Sequence, residues 1–185
     1  AGDAGTAFDK KTGKVLWKTG KGPVGYSTAV PYNAGGERAV MLFIKEHVAA
    51  VKVSDGKELW RHPWKTDYFV NAADPIIVGD RVFVSSGYNR GATLLKVSGN
   101  QAAAVWENKN MRNHFNSCVL WQGHLYGVDE KELRCIVWDT GEVKWGDKQF
   151  GKGSVMLADG KLIALSEKGE LIVAEASPAA LKPIS

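Results

Sequence analysis

The stretch Ala7-Phe-Asp-Lys-Lys-Thr-Gly-Lys-Val-Leu-Trp17 decides how this chain of 185 residues folds. It recurs without gaps as Ala50-Val-Lys-Val-Ser-Asp-Gly-Lys-Glu-Leu-Trp60 and as Cys135-Ile-Val-Trp-Asp-Thr-Gly-Glu-Val-Lys-Trp145. A fourth copy, Leu94–Trp106, fits if three residues are inserted after its glycine. Self-similarity at a period of roughly 20–50 residues indicates a repeat architecture such as a solenoid or a propeller.

Each copy of the repeat carries one turn glycine and one tryptophan. The glycines are Gly13, Gly56, Gly99 and Gly141, spaced 43, 43 and 42 residues apart, and the tryptophans are Trp17, Trp60, Trp106 and Trp145. An indole at a constant place can lie against a neighbouring sheet and bury a large apolar area there. These eight residues are therefore predicted to be structural.

Short strand-like runs fill the space between the copies. A second series of glycines precedes them, and Arg81–Ser85 and Lys161–Leu165 are examples of such runs. No long segment shows the ~3.6-residue periodicity of a helix. Each unit of about 43 residues is thus predicted to hold four antiparallel strands, A to D, which is the blade of a β-propeller. We expect an all-β fold of about four such blades, half of an eight-bladed ring.

The repeats define a single propeller domain over residues 1–185. Residues 1–22 are expected to end a first blade, and residues 23–65, 66–110, 111–150 and 151–185 to form one blade each. An arc of this size would expose the faces of its terminal sheets. Three outcomes stay open: a piece of a longer chain, two copies pairing into one ring, or four blades closing alone. The start inside a motif favours a fragment, whose expected partner is the missing half or a second copy.

Charge and hydropathy exclude several classes of protein. The net charge is +4, and basic and acidic residues are interspersed, so no nucleic-acid partner is expected. The longest apolar run, Ala39–Ile44, has six residues, far below the ~20 that span a bilayer. No signal peptide opens the sequence, which fits a cytoplasmic protein or one already trimmed.

The cysteines and histidines predict no metal site and no disulfide. Cys118 and Cys135 are too few for a zinc site, and the four histidines lack metal-ligand spacing. The two cysteines are predicted on strands A and C of one blade, about 9–10 Å apart. That exceeds the ~7 Å at which two Cα atoms can be bridged. We expect two free, mostly buried thiols.

In a propeller of this connectivity the D–A and B–C loops meet at one face. Candidate binding residues there mix aromatic, donor and acceptor groups, and are Tyr26, Tyr68, Asn71, Tyr88, Arg90, His114, Asn116 and Lys152. The alternative is that they are solvated loop residues. No catalytic residue is assigned, because Ser117 and His114 are neighbours in sequence only and a nucleophile–base pair is recognised by geometry.

The pattern Ala-x-Asp-x-x-Thr-Gly-Lys-x-x-Trp, matched throughout by Ala7–Trp17, resembles the repeat of pyrroloquinoline-quinone (PQQ)-like β-propellers. The resemblance covers nearly the whole chain. The phrases Ser86–Gly91 and Asn113–Ser117 look most like uncharacterised bacterial members of this family. The family includes eight-bladed quinoprotein alcohol dehydrogenases. It also includes a scaffold without cofactor, the lipoprotein B subunit of the outer-membrane barrel-assembly machinery, to which the chain is similar.

The resemblance implies a periplasmic or secreted bacterial protein. Quinoprotein dehydrogenases of the family resemble one another in a vicinal disulfide over PQQ and a calcium cage, whereas this sequence has no adjacent cysteines and no assignable carboxylate cluster. We therefore expect no cofactor and a non-catalytic scaffold that presents its loop face to a protein or polysaccharide partner in the bacterial envelope. The alternative is a PQQ- and calcium-dependent alcohol dehydrogenase of the polyvinyl-alcohol type.

Overall fold

The computed structural model describes residues 5–20 and 24–185. These residues form seventeen β-strands and one 3-10 turn, Asp67–Phe69, and contain no α-helix. No helix within the described ranges has the length and apolar character needed to cross a bilayer. The predicted all-β propeller with about four blades of antiparallel strands is confirmed.

The strands form five sheets, numbered here as blades 1 to 5. Blade 1 contains β1 (Gly5–Phe8) and β2 (Val15–Thr19); blade 2 contains β3 (Val30–Ala34), β4 (Glu37–Phe43), β5 (His47–Lys52) and β6 (Glu58–Pro63). Blade 3 contains β7 (Ile76–Val78), β8 (Arg81–Ser86), β9 (Gly91–Ser98) and β10 (Gln101–Asn108); blade 4 contains β11 (Val119–Trp121), β12 (His124–Asp129), β13 (Glu132–Val137) and β14 (Val143–Asp147). Blade 5 contains β15 (Ser154–Ala158), β16 (Lys161–Leu165) and β17 (Leu171–Glu175). Neighbours in each sheet are consecutive in the chain.

The expected division of the domain into blades stays a prediction. Its first boundary, between residues 22 and 23, lies outside the described residues. The number of blades in a closed ring stays a prediction as well.

The middle strands are buried on both faces because a blade lies on either side. All of Val48–Val51 in β5 is buried, and so is Val82–Ser86 in β8. Apolar clusters join blades 2 and 3, 3 and 4, and 4 and 5. Stacking therefore removes from water the apolar surface that a single four-stranded sheet would leave exposed.

The innermost strands begin later than the sequence predicts. The strand-like runs of the sequence predict these strands from Ser27, Ala72 and Asn116, whereas the structure begins them at Val30, Ile76 and Val119. Backbone N–H groups before them donate to the next blade. The Thr28 N–H donates to Asp74 Oδ1 over 2.6 Å, and the Asp74 N–H donates to Ser117 Oγ over 2.8 Å. These bonds tie the loops of successive blades together around the inner side of the propeller.

The two cysteines are free and buried, as predicted. Cys135 lies in β13, whereas Cys118 lies one residue before β11. The Cys118 thiol donates to Asn113 Oδ1 over 3.1 Å.

Candidate functional site

Four aromatic rings from three loops lie in a line on the predicted face. We call Tyr68, Tyr88, His114 and Phe115 the aromatic row. Their ring centroids are separated by 5.2, 4.5 and 5.0 Å in that order, all in tilted geometry. Tyr88 comes from the B–C loop of blade 3, and the other three come from the D–A loops before β7 and β11. The row therefore joins blade 3 to blade 4.

Two of the three loops that carry the row have an unusual backbone. Tyr68, Phe69, Tyr88 and Asn89 have φ values of 63°, 58°, 53° and 59°, a left-handed conformation that glycine normally adopts. Each such residue costs about 1–3 kcal/mol and persists where the surroundings fix it. Gly87 supplies part of that fixation, because a Cβ there would overlap the His114 ring. The His114 ring thus packs directly against the loop that carries Tyr88.

The row is exposed at its ends and half-buried in its middle. Tyr68 and Phe115 are 78% and 60% exposed, while the His114 side chain is 14% exposed. Both ring nitrogens of His114 are buried and have no hydrogen-bond partner among the described residues. The nearest charge is the Glu130 carboxylate, whose Oε2 is 3.5 Å from His114 Nε2. Glu130 Oε1 also accepts the Asn89 N–H over 3.4 Å, so one carboxylate contacts both loops.

Two lysine side chains lie over aromatic rings, one in the row and one next to it in sequence. Lys152 Nζ is 5.6 Å from the Phe115 centroid. Lys45 Nζ lies 3.4 Å from the Phe69 centroid. Such contacts contribute roughly 0.5–1 kcal/mol each at exposed sites. The face therefore presents apolar rings beside positive charge.

The surface beside the row has a small depression. It is lined by His114, Phe115, Asn116, Glu130 and Lys152, and its cavity volume is about 10 Å³. That is space for about one water molecule. Small-ligand sites usually have about 300–1,000 Å³. The arrangement is suited to a broad contact.

The structure brings together four of the eight predicted binding residues: Tyr68, Tyr88, His114 and Lys152. Asn116 lines the same depression, and its amide donates to the Gly153 carbonyl.

The other three predicted residues have different surroundings. Asn71 is fully buried; its Nδ2 donates to the Ile44 carbonyl over 2.7 Å, and its Oδ1 accepts the Ser86 hydroxyl over 2.7 Å. Arg90 lies with Cζ 3.6 Å above the buried Trp64 ring and pairs with Glu107. Tyr26 is 75% exposed on a separate D–A loop. The side chains of Asn71 and Arg90 therefore form contacts within the fold that support the loops, and they are not part of the row.

Sequence reasoning missed Phe115 and Glu130. Phe115 directly follows His114 in the D–A loop, so its position was a usable signal. Glu130 lies in a mixed-charge turn, and only the fold places it beside a loop of the preceding blade. Across residues 5–20 and 24–185, no group of three or more His, Cys, Asp or Glu side chains could hold a metal ion.

Comparison with solved structures shows the same fold. The crystal structure of BamB from Moraxella catarrhalis matches with a TM-score of 0.66 at 15% identity, over 98% of this chain and 59% of that one. The computationally designed protein Ika8 matches with a TM-score of 0.63 at 7% identity, over 97% of this chain and 54% of that one. The designed protein Ika4 matches with a TM-score of 0.56 at 8% identity, over 92% and 96%. The chain thus spans little more than half the length of the first two.

Sequence comparison identifies the family. No curated protein matches the chain. Residues 1–147, well over half of the sequence, match the PQQ-like repeat family described as outer membrane protein assembly factor BamB. The chain therefore belongs to the BamB family of PQQ-like β-propellers.

Proposed function

We propose that the chain is a non-catalytic scaffold of the bacterial envelope and that the aromatic row, with Lys152, is its docking face for a protein partner. The observation that carries this proposal is the continuous series of contacts among four rings, two of which, Tyr68 and Tyr88, stand on a left-handed backbone. In this proposal the chain needs no cofactor, and the face acts by binding alone.

Chemistry and rigidity both support a protein contact. Aromatic side chains supply most of the binding energy at many protein interfaces, and Tyr is enriched among such residues. The exposed rings of Tyr68 and Phe115 offer apolar area, and Lys152 offers a charge for a carboxylate. Because the left-handed backbone at Tyr68 and Tyr88 persists only where its surroundings fix it, little conformational entropy of these two loops is lost when a partner binds.

The shape of the face favours a macromolecule over a small ligand. A depression of about 10 Å³ encloses too little of a small molecule to hold it. A protein surface can instead cover the whole row, and a standard interface buries about 800 Å² on each partner.

Membership of the BamB family supports a location in the bacterial envelope and a protein as the partner. The family description names an outer membrane protein assembly factor. We infer that this chain likewise contacts a protein of the machinery that assembles outer membrane proteins. Because the chain spans 59% of the compared BamB, the partners of that whole protein enter here as a proposal only.

Site-specific photo-crosslinking in the envelope of the source bacterium tests this function. A benzophenone amino acid replaces Tyr68 or Phe115, and in the matched control it replaces Tyr26, which is equally exposed but outside the row. We expect one protein adduct from positions 68 and 115 and a much weaker one from position 26. Adducts that resist protease and carry sugar would indicate a polysaccharide partner and contradict the proposal. An adduct of twice the chain's mass would indicate a second copy.

A further inference from the structure

A groove of about 270 Å³ adjoins the aromatic row on the same face of the propeller. Its walls come from three loops, namely the D–A loops before β11 and β15 and the B–C loop between β12 and β13. Glu130 lines both this groove and the depression beside the row, so the two surfaces are continuous. We call it the charged groove, because each of its lining residues is ionisable: Arg112, Asp129, Glu130, Lys131, Glu132 and Lys148.

The carboxylates of the charged groove already have donors within the fold. The buried Asp129 accepts hydrogen bonds from the backbone and from the guanidinium of Arg112. Glu132 Oε2 accepts a hydrogen bond of 2.6 Å from Arg134 Nη2, and Arg134 Nη1 also pairs with Asp129 at 2.8 Å. Glu130 contacts the two loops of the aromatic row. The negative groups of the groove are therefore engaged by the chain itself.

The lysines around the groove have no such partners. Within the described ranges, no carboxylate forms an ion pair with Lys131, Lys148 or Lys152. Lys131 and Lys148 are exposed, and Lys152 lies over the Phe115 ring at the adjoining end of the row. The groups left available to a partner are therefore ammonium groups, and they lie next to exposed aromatic area.

The floor of the groove is held in shape by the fold. The Arg112 guanidinium makes two hydrogen bonds of 2.8 Å to the Asp129 carboxylate, a bidentate arrangement that fixes both planes. The Glu130 N–H donates to the Arg112 carbonyl over 3.0 Å. Gly146 of β14 leaves room for Glu132, because a Cβ there would overlap the Glu132 carboxylate. Binding of a partner therefore has to order the lysine side chains, whereas the floor is already in place.

We infer that the charged groove receives an acidic segment of the same partner protein that covers the aromatic row. This inference rests on the proposed function and specifies the chemistry of the partner. An apolar side chain of the partner packs on Phe115, and a neighbouring aspartate or glutamate pairs with Lys131 and Lys148. A basic segment is disfavoured, because it would meet ammonium groups beside carboxylates that already have donors. Such complementarity of charge excludes wrong partners and speeds encounter with the right one.

Crosslinking from inside the groove tests where the acidic segment lies. The benzophenone amino acid replaces Lys131 or Lys148, which form no ion pair within the described part of the chain. We expect the protein adduct obtained from position 68, with an aspartate or glutamate in the crosslinked segment. An adduct from position 68 without one from 131 or 148 would overturn this inference and leave the proposed function standing. The absence of a protein adduct from all three positions would overturn both.

Charge reversal tests the chemistry of the contact. The variant Lys131→Glu/Lys148→Glu is compared with Lys10→Glu/Lys14→Glu, which changes the net charge equally. Lys10 and Lys14 are just as exposed, but they lie in the C–D turn of blade 1, at the opposite end of the propeller. Binding of the purified partner should weaken about tenfold or more in the groove variant and stay within about twofold in the control. Equal losses would show an effect of net charge alone and overturn the assignment.

A charge exchange and a lipid probe complete the test. Replacing the mapped acidic residue of the partner by lysine should recover about tenfold of the affinity that the groove variant lost, because the two positions then attract again. No recovery would contradict direct pairing. Vesicles of phosphatidylglycerol offer the alternative anionic surface. Vesicle binding that is lost in the groove variant and kept in the control would assign the groove to lipid and overturn the inference.

Discussion

Trp106 and Trp138 join blade 3 to blade 4 through one hydrogen bond, from the indole Nε1 of Trp106 to the Trp138 carbonyl, 2.9 Å long. The same relationship links Trp17 to Val53. The repeat thus places one directional bond at a fixed point of the joint, beside apolar packing that has no preferred direction. This bond therefore helps to fix the position of one blade relative to the next.

Replacing the indole N–H by sulfur tests that bond. The benzothiophene analogue of tryptophan keeps the ring size and removes the donor. At position 106 we expect the free energy of unfolding to fall by about 1–3 kcal/mol, because the Trp138 carbonyl loses its partner. At position 60 the same exchange removes a donor that has no hydrogen-bond partner among the described residues, so stability should not fall. Urea denaturation of both variants measures the difference, and equal losses would contradict the account.

The turn glycines of the repeat should differ in their tolerance of alanine. Gly13 and Gly56 have φ values of 71° and 73°, so either substitution costs about 1–2 kcal/mol of left-handed strain. A Cβ at Gly56 also overlaps the Trp17 ring, whereas a Cβ at Gly13 has no described atom within 4 Å. Overpacking should add about 1–3 kcal/mol to Gly56→Ala alone. Thermal unfolding compares the two variants, with Gly13→Ala as the control, and a Gly13→Ala loss as large as that of Gly56→Ala would refute the packing role.

The buried thiols should make the fold sensitive to alkaline pH. Burial raises the pKa of Cys118 to about 12 and that of Cys135 to about 11, from an ordinary value of 9.0. The unfolded thiols therefore ionise first as the pH rises. Their contribution to stability is complete below about pH 9 and is lost as the pH rises toward 11–12, by at most about 1.4 kcal/mol per pH unit and thiol.

Two measurements check this behaviour. At pH 8 a disulfide reagent should react with neither thiol until the chain unfolds. Above pH 9, denaturation midpoints should fall less steeply with pH for Cys118→Ala than for the parent chain. Fast labelling of the native chain, or parallel pH curves, would count against the burial of these thiols.

Asp129 should be the most sensitive ionic position. Asp129 is 1% exposed, and its carboxylate accepts hydrogen bonds of 2.7–2.8 Å from the Arg112 backbone N–H and guanidinium. Its Oδ2 also forms an ion pair with Arg134 Nη1 at 2.8 Å. Asp129→Asn should cost about 3–5 kcal/mol, because two guanidinium groups lose their shared counter-charge. The matched control is Asp139→Asn, which breaks an exposed pair with Arg81 and should cost less than about 1 kcal/mol. Chemical denaturation measures the loss of stability in both variants. Similar losses would show that the ion pairs of Asp129 with Arg112 and Arg134 contribute no more than the exposed pair of Asp139 with Arg81.

The period of glycine and tryptophan was sufficient to predict the blades, because each repeat places one tryptophan at the joint with the next blade. It could not predict where the inner strands begin, since Thr28 and Asp74 bond across blades. The repeat pattern also made Trp60 equivalent to Trp17 and Trp106, although the sequence did show the inserted residues of the copy Leu94–Trp106. That the Trp60 indole N–H lacks a hydrogen-bond partner in the described part of the chain appears only when the two blades are placed side by side.

The candidate face was predicted in part. Strand connectivity sufficed to group Tyr68, Tyr88, His114 and Lys152, because the loops of a propeller meet at one end. Asn71 was grouped with them from its loop position, yet its amide is used inside the fold. Phe115 and Glu130 enter the site through contacts between loops that are distant in sequence, and no local pattern reports such contacts.

The central claim, that the aromatic row binds a protein partner, is tested most directly by the affinity of matched alanine variants. The protein crosslinked at position 68 is purified, and its binding to the chain is measured by biolayer interferometry. Tyr68→Ala and Phe115→Ala should each weaken binding at least tenfold, which corresponds to about 1.4 kcal/mol. Tyr26→Ala removes an equally exposed ring outside the row and should leave affinity within about twofold. Equal effects of all three substitutions, or none, would contradict the assignment of this face.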